Sequence, residues 1–309
     1  MQKVVSVSLG SSTRNHEAKV KFLGKDIAVE RIGTDGDMKK AIETLRRLDG
    51  QVSAIGLGGI DLYLYAGNRR YTVRDAKKLR EAVKNTPIVD GSGLKDTLER
   101  ETIRYLSNEG GISFNDKKVL MVSAVDRFGM AEALHEAGAK IIFGDLIFGL
   151  GIPIAIRSMT TFRILARLLL PIVTKMPFKI LYPTGSKQEE KPKTKYSKYY
   201  EEAEIIAGDF LFIRKYLPQD LSGKIIITNT ITKGDVEELK KRKLATLITT
   251  TPELNGRSFG TNVMEAMLVS LINKNWSSIN SDDYLKTIKE IGFKPRIEIL
   301  TNGSKQTYE

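Results

Sequence analysis

The chain has 309 residues, 41% apolar and 28% charged, an ordinary globular composition long enough to fill two cores without staples. It holds no cysteine and two histidines, His16 and His135, which excludes disulfides, thiolate nucleophiles and cysteine or histidine-rich metal sites. The formal charge of +12 comes from lysines scattered among glutamates, so a lysine-rich surface is expected ahead of an attraction for anionic ligands, and no basic run reads as a nucleic-acid arm.

The opening residues lack a signal peptide's charged start and long apolar run. The most apolar stretch, Phe162 to Ile180, is interrupted by Arg163, Arg167, Pro171, Lys175, Pro177 and Lys179, so it does not read as a membrane span. A cytoplasmic protein is expected.

Val4 to Leu9 reads as a buried strand stopped at Gly10-Ser11-Ser12. Ala18, Val20 and Phe22 alternate with charged residues, and Ile27 and Val29 resume the alternation after Gly24-Lys25-Asp26, which predicts a hairpin. Met38, Ala41, Ile42, Leu45 and Leu48 recur at helical spacing. Val52 to Leu57 is a second buried strand ending in Gly58-Gly59. Val73 to Val83 is a helix, Pro87 to Val89 a short strand entering Asp90-Gly91-Ser92-Gly93, and Leu94 to Leu106 a helix. Asn108 to Gly111 makes a boundary.

Beyond it one unit repeats. Val119 to Val125 is a continuous apolar run. Met130, Ala133, Leu134 and Ala137 follow at helical spacing, closed by Gly138. Strands are expected at Lys140 to Phe143, Phe178 to Leu181, Ile205 to Ala207, Ile225 to Thr228 and Ala245 to Thr249. Helices are expected at Ile164 to Val173, with Pro171 as a kink, around Phe210 to Tyr216 and around Val236 to Lys243. Asn262 and Glu265 suggest a capping box for a last large helix through Ile272. Gly185 to Lys198 reads as an exposed loop and Thr301 to Glu309 as a frayed tail. The fold class is therefore α/β. An N-terminal α/β domain on the substrate side (1–110) precedes a Rossmann-like, doubly wound parallel-sheet domain (111–275) and a C-terminal helix, strand and tail (276–309).

The chemistry is expected at the turn after Val119 to Val125. A dinucleotide fingerprint presents the free amides of a helix N-terminus to a pyrophosphate, with an acid about 20 residues on for the ribose. Here the turn reads Ala124-Val125-Asp126-Arg127-Phe128-Gly129. Gly129 matches the third glycine, while Ala124 and Asp126 stand at the first two positions. Asp145 takes the place of the ribose acid, which favours NAD over NADP. Asp126 repels a pyrophosphate unless it points away or Arg127 offsets it; the alternative is a Rossmann-type fold with a lost site. On this reading Asp145→Ala weakens NAD binding by more than tenfold. Asn229, in Thr228-Asn229-Thr230, and Thr249, in Thr249-Thr250-Thr251, end later strands. They line the nicotinamide side or else bond to their own turns. Arg257 is either a clamp for a substrate carboxylate or a surface arginine. Asp61, after Gly58-Gly59-Ile60, is a further substrate-side candidate.

Asp90-Gly91-Ser92-Gly93, followed by a helix and then a nucleotide domain, resembles the shikimate and quinate dehydrogenase family. The stretches GTDGDMKKAI, AIGLGGIDLYLYAG, IVDGSGLKDTLER and GRSFGTNVMEA, which span most of the chain, are similar to bacterial proteins called quinate 5-dehydrogenase. The resemblance implies that Asp90 matches an aspartate that pairs with a lysine to handle the alcohol proton while a hydride moves to the nicotinamide. The family's threonine-x-proline-x-lysine motif has no counterpart here, and Lys95 is the nearest stand-in. Read from residues alone, Asp90 is equally a turn residue before glycines and Lys95 a solvated lysine in a first helical turn.

The leading expectation is an NAD-dependent oxidoreductase acting on a small hydroxylated acid of the quinate or shikimate type, held between the domains. The alternatives are a nucleotide-binding regulatory or sensor protein with a degenerate site, and a non-redox enzyme such as a transferase. The partners expected are a small-molecule substrate and a second copy of the chain in a homodimer, with neither nucleic acid nor membrane.

Overall fold

The computed structural model describes residues 1–22, 24–67, 69–177, 196–251, 253–254, 257–290, 292 and 294–300. Valines 4, 5 and 7 bury in β1 (Gln2–Ser8). The expected hairpin forms from β2 (His16–Phe22) and β3 (Lys25–Gly33), antiparallel, with His16 opposite Arg31. α1 (Met38–Leu48) opens at Asp37, whose carboxylate accepts the amides of Lys39 and Lys40, and buries Ala41, Thr44 and Leu45. After β4 (Ala54–Gly58) comes a hairpin absent from the sequence reading, β5 (Tyr63–Ala66) and β6 (Arg69–Thr72). Arginine–tyrosine stacking supports it, Arg70 lying 4.3 Å over the Tyr63 ring and Arg69 5.1 Å over Tyr71. α2 (Arg74–Glu81), β7 (Ile88–Val89) and α3 (Ser92–Asn108) follow.

β8 (Lys118–Met121) is shorter than the apolar run that announces it. Val122 and Ala124 stay buried in the turn beyond, so hydrophobicity outlasts the strand. A 3-10 turn at Val125–Arg127 leads into α4 (Phe128–Glu136), and Gly138, at φ +84°, follows its end. After β9 (Lys140–Phe143) a π-helical turn spans Asp145–Gly149. α5 (Met159–Val173) starts before the expected Ile164, because Met159 and Phe162 continue its buried stripe. Its opposite face leaves Ile164, Leu168 and Ile172 exposed.

α6 (Ser197–Glu202), β10 (Ile205–Ala207), α7 (Phe210–Arg214) and β11 (Ile225–Thr228) follow. α8 (Lys233–Lys241) carries a complete capping box, Thr232 with Asp235. β12 (Thr246–Thr249) precedes the two-stranded ribbon of β13 (Glu253–Leu254) and β14 (Arg257–Ser258). α9 (Thr261–Leu271), α10 (Ser281–Glu290) and β15 (Arg296–Ile299) end the described chain. The box expected at Asn262 and Glu265 is not made. α9 opens at Gly260 with no side-chain cap, because its buried position spends both residues on tertiary partners. The strand expected at 178–181, residues 185–195 of the expected loop and the tail at 301–309 lie outside the described residues.

The elements make two α/β units with mainly parallel sheets. The first comprises the described residues of Met1–Thr97, Leu168–Glu189 and Phe259–Phe293, and its sheet runs β2-β3-β1-β4-β7, parallel except for β2. α9 lies against β1, β4 and β7. Contact is close enough that a Cβ on Gly56 would stand 2.7 Å from the Asn262 carbonyl oxygen. The second comprises the described residues of Leu98–Arg167, Glu190–Ser258 and Lys294–Glu309. Its sheet runs β15-β12-β11-β10-β8-β9, with only β15 antiparallel, around a core that includes Leu120, Tyr200, Ile206, Ile226 and Leu247. The units are therefore not the consecutive blocks 1–110 and 111–275 of the sequence reading. α9 belongs to the first, and α3 and α5 each contribute residues to both. Among the described residues no helix is long and apolar enough to cross a membrane.

Candidate functional site

In the second unit the chain leaves β8 for β9 on one side and then crosses to β10 on the other. The carboxyl ends of β8 and β10 thus flank a topological switch point, where open parallel sheets take ligands. Gly208 follows β10 at φ +143°, and a Cβ there would lie 3.5 Å from the Ser123 amide and hydroxyl. Asp209 follows. Its Oδ2 pairs with Arg127 Nη2 at 3.3 Å and accepts from Asn229 Nδ2 at 2.8 Å.

The amides that open the helical segment after β8 already have a partner. Asp145 Oδ1 accepts from both the Ala124 and the Val125 N–H at 2.9 Å. The carboxylate expected to hold a ribose is here turned onto the backbone of its own unit. Its Oδ2 is buried without a hydrogen-bond partner, as are Ser123 Oγ and Thr250 Oγ1. Burial pushes the Asp145 carboxyl up to about 7 against the pull of the two amides, and the neighbouring Asp126 adds to the rise.

Arg127 is also redirected. It is 2% exposed, forms an ion pair with Glu99 of α3 and lies 3.9 Å from Asp126. So deep a cation needs carboxylates to offset lost hydration, and Glu99 and Asp209 supply them. Gly129 sits buried in the first turn of α4, the place that a fingerprint's third glycine takes for close packing of the helix. Thr249 Oγ1 donates to the Thr251 carbonyl at 2.9 Å, and Thr228 Oγ1 to that of Gly208 at 2.9 Å, so these hydroxyls bond to turn backbone. Arg257 is placed in β14 opposite Leu254; its side chain lies outside what is described.

Three other expected residues meet in the first unit. Lys95 Nζ lies 3.2 Å from Asp61 Oδ1, with both side chains under one-fifth exposed (12% and 16%). Asp90 follows β7 and is spent on its surroundings. Oδ2 accepts the Leu62 amide at 2.5 Å, and Oδ1 accepts the Ser92 hydroxyl at 2.6 Å and its amide at 3.1 Å. Burial, with Asp61 nearby, raises its pKa. Glu265 reaches in from α9. It accepts from the Gly91 amide at 2.6 Å and the Tyr284 hydroxyl at 2.7 Å, and burial beside Asp90 pushes its carboxyl up to about 8. Gly91 and Gly93 permit this approach, since a Cβ on Gly93 would stand 2.5 Å from Glu265 Oε1.

Sequence reasoning missed Asp209 and Glu99, and read Glu265 only as half of a capping box. For Asp209 a signal existed: Gly-Asp follows β10 (Gly208-Asp209) as it follows β9 (Gly144-Asp145). Glu99 and Glu265 sit in helices, where nothing local marks an acid as buried.

Among curated proteins none matches the sequence. A glucose-galactose binding protein from Geobacillus stearothermophilus aligns over 97% of this chain and 98% of its own, at 9% identity and a TM-score of 0.40. A galactofuranose binding protein aligns over 97% and 95%, at 12% identity and a TM-score of 0.38. A phosphoglycerate oxidoreductase from Vibrio Cholerae o395 aligns over 94% and 99%, at 9% identity and a TM-score of 0.32. Likenesses this slight carry no argument about ligand or activity. Residues 3–90 match the family described as Domain of unknown function (DUF8753), and residues 93–300 match Domain of unknown function (DUF8754). With more than half of its length inside the second of these, the chain belongs to the DUF8754 family.

Proposed function

We propose that this chain is a nucleotide-responsive binding protein without redox turnover, whose second unit is a Rossmann-like domain with a self-occupied phosphate position. The strand order 2-1-3-4-5, read as β9-β8-β10-β11-β12, is that of flavodoxin-like nucleotide-binding sheets. The observation that carries the reading is the pair of 2.9 Å bonds from the Ala124 and Val125 amides to Asp145. In a dinucleotide site such amides meet the pyrophosphate. A carboxyl group in that place offers an oxygen to the same donors, so an incoming phosphate has to displace it. Competition of this kind lowers affinity and suits a sensor of abundant nucleotide.

A second reading, an NAD-dependent oxidoreductase acting on a small hydroxylated acid, is favoured by the Lys95–Asp61 contact beside buried Asp90. A part-buried ammonium–carboxylate pair can pass a proton to or from a substrate hydroxyl.

Thermal shift with NAD, NADP and ATP, followed by absorbance at the NADH band with quinate and shikimate, separates the two. The binding reading expects weak stabilisation of the wild-type chain, no turnover, and at least tenfold tighter nucleotide binding in Asp145→Ala (roughly 1.4 kcal/mol). This reverses the sign that a ribose contact requires. Tighter binding is expected because the competitor is gone. Weaker binding in Asp145→Ala would overturn the displaced-carboxylate account, and turnover of either acid would establish the dehydrogenase.

A further inference from the structure

α5 is apolar on two sides. Met159, Phe162, Ala166 and Leu170 form its buried stripe, while Ile164, Leu168 and Ile172 are 54%, 63% and 64% exposed. These three recur every four residues, so they make one line along the helix. Arg167 and Lys175 are exposed as well. A surface helix ordinarily keeps its outer face polar, and a continuous apolar line there marks a contact surface.

At the end of this line the first unit gathers positive charge. The Thr174 carbonyl, just past α5, accepts the Arg74 amide that opens α2 at 2.9 Å, so the orphan acceptor of one helix end meets the orphan donor of the other. Both residues belong to the first unit. From Arg69 to Lys84 the sequence holds seven cations against two carboxylates, a net of +5 where the whole chain carries +12. Arg69, Arg70, Arg74, Lys77 and Lys78 are exposed. Asp75 already pairs with Arg74 and Lys78, and Glu81 with Lys77. Lys77 and Lys78 stand roughly 5–6 Å along the helix from Arg74, inside the roughly 8–10 Å over which charges act at ordinary salt.

We infer that this surface of α5 and α2 docks on the headgroup layer of an anionic phospholipid bilayer, with Leu168 and Ile172 inserted below the headgroups and Arg74, Lys77 and Lys78 on the lipid charges. Charge and area decide among occupants. A second copy on this surface would meet the same patch, cation against cation. The exposed fractions of Ile164, Leu168 and Ile172 add up to less than two whole side chains, whereas a stable protein interface takes about 20–30 residues a side. A nucleic acid would match the charge but has no use for Leu168 and Ile172. So short an apolar line holds a bilayer weakly by itself, and reversible attachment needs the basic patch beside it. A helix too short to cross a bilayer can lie on one. The inference rests on neither reading of Asp145 or Lys95.

The test is co-sedimentation of the full chain with vesicles of phosphatidylcholine alone and of phosphatidylcholine and phosphatidylserine in equal parts, at low and high salt. Pelleting with the mixed vesicles alone is expected, falling steeply as salt rises. Leu168→Ser combined with Ile172→Ser should weaken binding about tenfold, and so should Lys77→Gln combined with Lys78→Gln. All four positions are exposed, so thermal unfolding should stay close to wild type. No pelleting with mixed vesicles, equal pelleting with both kinds, or unchanged binding in either double variant would overturn the surface. Dimerisation seen by light scattering and lost in the Leu168–Ile172 variant, without vesicle binding, would give the face to a second copy. Binding of a single-stranded oligonucleotide, without vesicle binding, would give the patch to nucleic acid. Should a variant fail to fold, the lipid and salt dependence of the wild-type chain still decides.

Discussion

A carboxylate that accepts two backbone amides is normally stabilised as the anion, and Asp145 does so at a buried strand end where desolvation outweighs the gain. Its folded pKa of about 7 stands above the unfolded value of about 3.9, so the folded state holds the proton more tightly. Between about pH 4 and 7 the unfolded chain ionises first, and stability falls as pH rises, by at most about 1.4 kcal/mol per unit, levelling off above 7. Asp145→Asn keeps an oxygen for the two amides and removes the titration. Urea midpoints should therefore move in favour of the variant between pH 5 and pH 7.5. A constant gap between variant and wild type at the two pH values would show that the carboxyl does not titrate in this window. The sequence reading located Asp145 at a strand end but assigned it a ligand, because a strand-end acid looks the same whether it faces a ribose or its own turn.

Helices here carry buried charge that their periodicity does not reveal. Glu99 lies on α3 and Arg127 just before α4, each with a side chain 1% exposed, and they are paired with one another. Removing one partner of such a pair strands the other in the interior. Arg127→Met should cost about 3–5 kcal/mol in urea unfolding, whereas Glu99→Leu combined with Arg127→Met should recover most of it. Recovery of less than about 1 kcal/mol would mean that Asp209 and Asp126, and not Glu99, hold Arg127 in place. The apolar spacing of α3 and α4 was legible, since it depends on residues three and four apart. The pairing was not, since it depends on two helices that meet only in the folded unit.

For the whole molecule, the consequential feature is that the first unit is completed from far along the chain. Val263, Met264, Ala266, Met267 and Leu268 of α9 are all buried, and the helix covers β1, β4 and β7. Burying each such side chain is worth roughly 1.5–3 kcal/mol for the larger ones, so several together rival the net stability of a small domain. A fragment of residues 1–110, the domain expected from sequence, should therefore lack a cooperative urea transition by circular dichroism. A sharp transition in that fragment would show that the sheet is stable without α9.

From the sequence by itself came the α/β alternation, the β2–β3 hairpin, most strands of both sheets and the absence of thiol chemistry. All of these follow from residue identity and from spacings of two to four. Tertiary structure decided the order of the strands, the unit that α9 joins and the partners of every buried charge. Asp145 meets an amide 20 residues away, and Glu265 meets one 174 residues away. Contacts at such separations are chosen by global packing and by the cost of leaving a buried polar group unpaired, and neither leaves a local pattern to read.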